Sequence, residues 1–194
     1  RGTQAIALGS RSGALARDMG GELQQLRATA AAVHVRRCDT SEVAHMKRLV
    51  AQQRLSGVCH AAGVLADGLV SKLAEAALAR VYAPKALGAS TLQRTTAWTP
   101  LQTLAMFSSV SALLGGAGQA NYSAANACLD ALASWREAHS LAAVSVQWGA
   151  WAEVGMAARG AASERMLAME AASGFGRIKL EHGLRALRAA VMPC

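Results

Sequence analysis

Aromatic residues are scarce: Phe, Trp and Tyr make up 4% of the 194 residues. A ring-built core is thereby excluded, and the interior must be packed mainly from Ala, Leu and Val, which suits helices laid on a sheet. Charged residues are few, at 16% against 53% hydrophobic, which argues against a disordered chain. No apolar run reaches the length of a membrane span and nothing resembles a signal peptide, so no membrane partner is expected. Cys38, Cys59, Cys128 and Cys194 lack any C-x-x-C pairing, a pattern that suits neither a zinc site nor a disulfide scaffold. Free thiols in a reducing, cytoplasmic setting are expected, an organelle not being excluded, and no metal.

Acidic residues are outnumbered, 12 against 20 Lys and Arg, for a formal charge of +8. Such an excess fits nucleic acid, an anionic cofactor or an acidic protein partner. The basic residues are dispersed, without the aromatic-interleaved stripe of a nucleic-acid face, so no nucleic acid is expected. A phosphate-rich cofactor and an acidic carrier remain. Neither a repeat nor a linker divides the chain, and its length suits one domain. Arg1 stands where an initiator Met would, so a piece of a longer polypeptide is expected.

What is present is an alternation of short apolar runs and helical stretches. Strands are predicted at 5–9, 31–36, 57–60, 101–107 and 143–147. Helices are predicted at 15–30, from an N-cap at Ser41 to about Arg54, at 69–79, 84–95, 121–138, 163–172 and 180–190. This order implies an α/β fold, a doubly wound parallel sheet whose strand C-terminal ends share one edge. Ligands of such sheets bind there. Arg11, Asp39, Gly63, Ser109 and Trp148 all immediately follow predicted strands, which points to a nucleotide site.

The stretch from Phe107 to Asn126, F-S-S-V-S-A-L-L-G-G-A-G-Q-A-N-Y-S-A-A-N, is the most informative. It reads as a strand ending in hydroxyls, a loop turned by Gly115, Gly116 and Gly118, and a helix on which Tyr122 and Asn126 lie one turn apart. A hydroxyl at a strand end opposite a Tyr opening a helix can donate protons. By itself the stretch is better read as a Ser-rich turn followed by a buried Tyr in an Ala-rich helix.

The runs H-A-A-G-V-L-A-D-G at 60–68, A-P-K-A-L-G-A at 83–89, the 107–126 stretch and W-G-A-W-A-E-V-G-M-A at 148–157 resemble a ketoreductase domain of a modular type I polyketide synthase. Those domains belong to the short-chain dehydrogenase/reductase superfamily, and the resemblance runs from Ala5 to about Ala190. Lys85 stands 24 positions before Ser109, Tyr122 13 after it, and Asn126 four further on. Most of the superfamily carries Y-x-x-x-K; here the motif is Y-x-x-x-N with the Lys upstream, as in polyketide and animal fatty-acid synthase ketoreductases. The resemblance implies a Rossmann-like sheet and NADPH-dependent reduction of a β-ketoacyl chain on the phosphopantetheine of an acyl carrier protein, beside other domains of the same synthase. It implies Tyr122 as proton donor, Lys85 lowering the phenol's pKa and holding the nicotinamide ribose, Ser109 on the substrate oxygen, and Asn126 holding a water. It places Ser10 and Arg11 at the 2′-phosphate, Asp39 at the adenine, and Ala61, Ala62 and Gly63 beside the cofactor. Asp67, Leu114, Trp148 and Met156 fall on the substrate side, and 157–173 on a lid. Trp148 and Trp151 could equally be core.

The family's G-x-G-x-x-G turn is missing, because it belongs about one βα unit upstream of Ala5. The expectation is a ketoreductase catalytic domain over 1–194, incomplete at its N-terminus and lacking its first βα unit. A structural remnant without turnover and a stand-alone carbonyl reductase are the alternatives.

Overall fold

The computed structural model describes residues 4–15, 19–29, 31–155 and 176–192. Five strands alternate with helices: β1 (Ala5–Ser10), α1 (Gly20–Arg27), β2 (Ala32–Arg37), α2 (Val43–Gln52), β3 (Gly57–His60), α3 (Glu75–Tyr82), α4 (Gly88–Thr95), β4 (Thr103–Ser109), α5 (Ser111–Leu114), α6 (Ala120–Ala138), β5 (Val144–Trp148) and α7 (Leu180–Val191). All strand pairs are parallel, as the alternation requires. They form two sheets among the described residues, β1-β2 and β3-β4-β5.

Leu104, Ala105 and Met106 of β4 are fully buried, as an interior strand covered on both faces demands. Leu104 and Met106 join Leu92, Leu129, Cys38 and Met46 in one core, so α2, α4 and α6 share a layer and tie the two sheets together. Ser108 and Gln147 are paired in register and face α6, to which Ser108 Oγ donates at Asn126 O (3.3 Å). Thr103 lies on the other face, its Oγ1 donating to Val191 O of α7 (3.5 Å). Helices therefore cover both faces, and the fold is Rossmann-like.

Several boundaries differ from the sequence reading. Ser41 does not cap α2; its hydroxyl donates to Asp39 Oδ1 (2.7 Å), which also accepts Ser41 N–H (3.0 Å), and Glu42 opens the helix without a side-chain cap. The short carboxylate closes a local turn and takes the hydroxyl a cap would need. The stretches predicted at 69–79 and 84–95 are a 3-10 turn at Val70–Lys72 followed by an unbroken run from α3 to α4. Pro84, with no N–H to give, is absorbed by a π turn at Ala83–Leu87 rather than ending the helix. The fourth strand begins at Thr103 rather than 101 and ends in the hydroxyls of Ser108 and Ser109 as read, and the short α5 follows where only a Gly-rich loop was expected. On α6, Leu129 is buried, whereas Trp135 turns outward to stack on His139, and Arg136 is buried, bonded to Ala142 O and Gln93. The helix predicted at 163–172 lies outside the described residues.

Trp148, at the end of β5, packs on Phe107 and Trp151, with centroids 5.6 and 4.9 Å away. Gly183 of α7 lets Trp151 approach: a Cβ there would lie 2.2 Å from the ring. Ala is favoured over Gly inside a helix by about 1 kcal/mol, whereas overpacking costs about 1–3 kcal/mol. At this separation the clash dominates. Gly183→Ala is expected to lower the urea midpoint; an unchanged or higher midpoint would contradict this packing.

Candidate active site

Four polar side chains meet where β4 ends. Lys85 comes from the π turn, Ser109 is the last residue of β4, and Tyr122 and Asn126 project from the first two turns of α6. Lys85 is only 3% exposed. Its Nζ donates to Phe107 O (2.9 Å) and lies 5.3 Å from the centre of the Tyr122 ring. Burial disfavours the cation and pulls its pKa down to about 8, with the Asp130 charge opposing. An ammonium has three hydrogens, so two remain for other acceptors.

Tyr122 is pushed above its ordinary pKa by burial; hydrogen bonding from the Asn126 and Ser109 side chains works against this, and the Asp67 charge adds to it. The expectation that Lys85 lowers this pKa is therefore corrected. Nζ spends one hydrogen on a backbone carbonyl, and desolvation outweighs the groups that favour the phenolate. Ser109 Oγ accepts from Ser111 N–H (3.2 Å). Asn126 donates through Nδ2 to Tyr122 O (2.8 Å), which fixes the amide, while its fully buried Oδ1 has no partner. A buried acceptor left open in this way is the usual place of an ordered water.

The loop carrying Asp67 docks on the turn before α6. Asn121 is buried and donates from Nδ2 to Ala66 O (2.8 Å), its Oδ1 accepting from Tyr122 N–H (2.8 Å). Gly68 N–H donates to Gly118 O (2.8 Å), and Gln119 Nε2 reaches Asp67 Oδ2 (3.4 Å). Gly118, at φ +72°, makes that turn possible. Leu114 ends α5 with 70% of its surface exposed.

The chain is matched over residues 1–153 by the family described as KR domain. It is 45% identical over 170 residues to polyketide synthase GfsB of Streptomyces halstedii, covering 86% of this chain and 3% of that protein. The chain belongs to the ketoreductase domain family of modular polyketide synthases. The phthioceranic/hydroxyphthioceranic acid synthase of Mycobacterium bovis is 40% identical over 133 residues, which is 69% of this chain and 6% of the synthase. An A-type ketoreductase from a modular polyketide synthase superposes with TM-score 0.88 at 34% identity, over 96% of this chain and 40% of that one. The first-module ketoreductase of phoslactomycin biosynthesis in Streptomyces sp. HK803 superposes with TM-score 0.87 at 35% identity, over 97% and 44%. The chain thus spans a few hundredths of its curated relatives' length and less than half of the ketoreductases it superposes on.

Within this ketoreductase fold, Ser10, Arg11, Asp39, Ala61, Ala62 and Gly63, read as cofactor-facing, lie at or just beyond the ends of β1, β2 and β3. Arg11 directly follows β1 and is exposed, and its charge, after hydrogen bonds from Ser41, helps lower the Asp39 pKa. Ser10 is already engaged, its Oγ donating to Ala14 O (2.9 Å). Ala61, Ala62 and Gly63 form the irregular segment after β3. Trp148 is buried, with its Nε1 unpartnered. Met156 and the segment 157–173, expected to be a lid, lie outside the described residues. Asn121 was missed: its signal, an amide directly before the Tyr, is indistinguishable in sequence from an ordinary first-turn residue. Among the described residues no cluster of His, Cys, Asp or Glu could hold a metal, and no helix is long and apolar enough to cross a membrane.

Proposed function

We propose that this chain is the catalytic part of a ketoreductase domain, reducing a β-ketoacyl thioester on the phosphopantetheine arm of an acyl carrier protein to the β-hydroxyacyl thioester, with NADPH. The convergence of buried Lys85 and Asn126 with half-buried Tyr122 and Ser109 at one strand end carries this reading. NADPH, when bound, supplies the hydride. Tyr122 protonates the carbonyl oxygen, its phenol being in the acid form at neutral pH. The Ser109 hydroxyl, oriented by Ser111 N–H, donates to the oxygen as negative charge grows there. Lys85 offers its two remaining hydrogens to ribose hydroxyls, and Asn126 Oδ1 holds the water from which protons are restored.

The fit to NADPH is good at two places: the exposed Arg11 guanidinium for a 2′-phosphate and the buried ammonium for the ribose. Asp39, Ala61, Ala62 and Gly63 complete that edge. The pyrophosphate needs backbone donors at a Gly-rich strand-to-helix turn. Doubly wound sheets of this family run in the order 3-2-1-4-5-6, which corresponds to β2-β1-x-β3-β4-β5 here. We infer that a strand supplied from elsewhere in the polypeptide joins the β1 and β3 edges and brings those donors; the separate two- and three-stranded sheets support this. The carrier and the neighbouring synthase domains are the partners, and the basic chain suits an acidic carrier.

NADPH oxidation on a carrier-bound β-ketoacyl substrate tests the reading, with the β-hydroxy product identified by mass. Equal turnover of a free small ketone and the carrier-bound substrate would favour a stand-alone carbonyl reductase instead. The product is expected to be the D-configured, B-type alcohol. V-L-A-D-G at 64–68 retains the second Asp of the B-type L-D-D motif as Asp67, tethered by Gln119, with Ala66 in place of the first. Leu114 occupies the position eight before Tyr122 where A-type domains carry Trp. Chiral analysis giving mainly the L-alcohol would overturn this assignment.

A further inference from the structure

The π turn that presents Lys85 is gripped from outside its own helix, by residues to which the proposed chemistry assigns no task. In this turn Gly88 N–H reaches back to Ala83 O, five residues earlier, and also to Lys85 O. Thr40, in the loop between β2 and α2, donates from Oγ1 to Pro84 O (3.4 Å). His60, the buried last residue of β3, meets Lys85 O through Nε2 (3.4 Å). A carbonyl only accepts, so Nε2 carries the proton. Burial pulls the His60 pKa down and favours the neutral ring, with the Lys85 carbonyl bond opposing and the Lys85 charge adding to the fall. Gly88 closes the arrangement: a Cβ there would lie 2.5 Å from Thr40 Oγ1 and 3.2 Å from His60 Cε1.

We propose that Thr40, His60 and Gly88 form a clamp on the π turn and are positioning residues for Lys85. The two side chains hold successive carbonyls, of Pro84 and Lys85, from two separate strand ends, and the missing Cβ lets both approach. A wide turn has a competing geometry close at hand, the regular α-helix, in which later side chains are rotated about the axis. Fixing those carbonyls selects the wide form. Lys85 then enters a buried position where one hydrogen meets Phe107 O and the ammonium lies over the Tyr122 ring. The individual bonds are long, so the clamp works by combination, and loss of either side chain frees one carbonyl of the turn.

The effect on turnover rests on reading Lys85 as a catalytic group; the clamp itself does not, and a direct probe of Lys85 separates the two. The chain has four lysines, Lys47, Lys72, Lys85 and Lys179, so the Nζ and Cε resonances of lysine-labelled protein can be resolved, with Lys85→Arg assigning the site. In the native protein Lys85 is expected to titrate near 8, facing the Asp130 charge, the uncharged Tyr122 phenol and the neutral His60 ring. In Thr40→Val, and in Gly88→Ala, which displaces the Thr40 hydroxyl from Pro84 O, the ammonium gains water and its titration moves up toward the ordinary lysine value. Thr40→Ser restores it. Reduction of the carrier-bound ketone is expected to fall about tenfold or more in kcat in the first two variants, with KM for the thioester little changed. His60→Gln, which keeps a donor, is expected to act more mildly than His60→Phe; should the His60 variants fail to fold, the Thr40 and Gly88 variants carry the test. Titration near 8 in both Thr40→Val and Gly88→Ala overturns the clamp, whatever their activity. A moved titration in a protein that reduces no ketone even when extended upstream through a G-x-G-x-x-G turn supports the clamp and sinks the reductase reading.

Discussion

In a chain completed upstream by a strand and a G-x-G-x-x-G turn, Tyr122→Phe is expected to lower carrier-bound ketone reduction by about a hundred-fold or more while NADPH affinity stays nearly unchanged. Loss of a positioned general acid typically removes about 10²–10⁴ in rate. Tyr122 is half-buried, with the Lys85 ammonium over its ring. Phe retains the ring over which the Lys85 ammonium sits at 5.3 Å, so packing is preserved and only the hydroxyl is lost. Initial rates at saturating NADPH, with cofactor fluorescence in parallel, make the measurement; near-native turnover would sink the assignment of Tyr122 as acid. Ser109→Ala should fall in the same range, because one donor to a developing oxyanion contributes about 10²–10³.

Tight NADPH binding is expected only when a strand followed by a Gly-rich turn is present upstream of Ala5. The described residues supply partners for the two ends of the cofactor, Arg11 and Lys85, but neither replaces backbone donors to a pyrophosphate. β1 pairs with β2 and β3 with β4, and among the described residues the other edges of β1 and β3 are unpaired. Cys59 on β3 is exposed, although an interior strand of a complete sheet would cover it. Unpaired edges also invite association between chains. NADPH titrated into the 194-residue chain should bind weakly or not at all, and into a version extended through a G-x-G-x-x-G turn about tenfold or more tightly. Equal affinity in the two would contradict the inferred joining strand.

Much of this was legible in sequence because it depends on local periodicity and spacing. Apolar runs of strand length separated by helical stretches are sufficient to place five parallel strands, since the crossover rule leaves few topologies. The separations of Lys85, Ser109, Tyr122 and Asn126 are likewise sequence quantities, and the four do meet at the end of β4. Family membership follows from the same residues.

Other features depend on which groups from distant segments come into contact. Ser41 was a sound cap by residue type, yet the neighbouring Asp39 carboxylate takes its hydroxyl. Pro84 reads as a helix start, but the helix passes through it because a π turn accommodates the missing N–H and Thr40 and His60, remote in sequence, hold the turn's carbonyls. The Tyr122 pKa was the clearest failure of local reasoning. A nearby cation suggests a lowered value, whereas burial, which is set by every element packed around the ring, raises it. Residue type and spacing therefore determined the alternation of parallel strands with helices and the composition of the site; desolvation and long-range hydrogen bonds, which arise only when the layers close, decided the protonation and the aim of its groups.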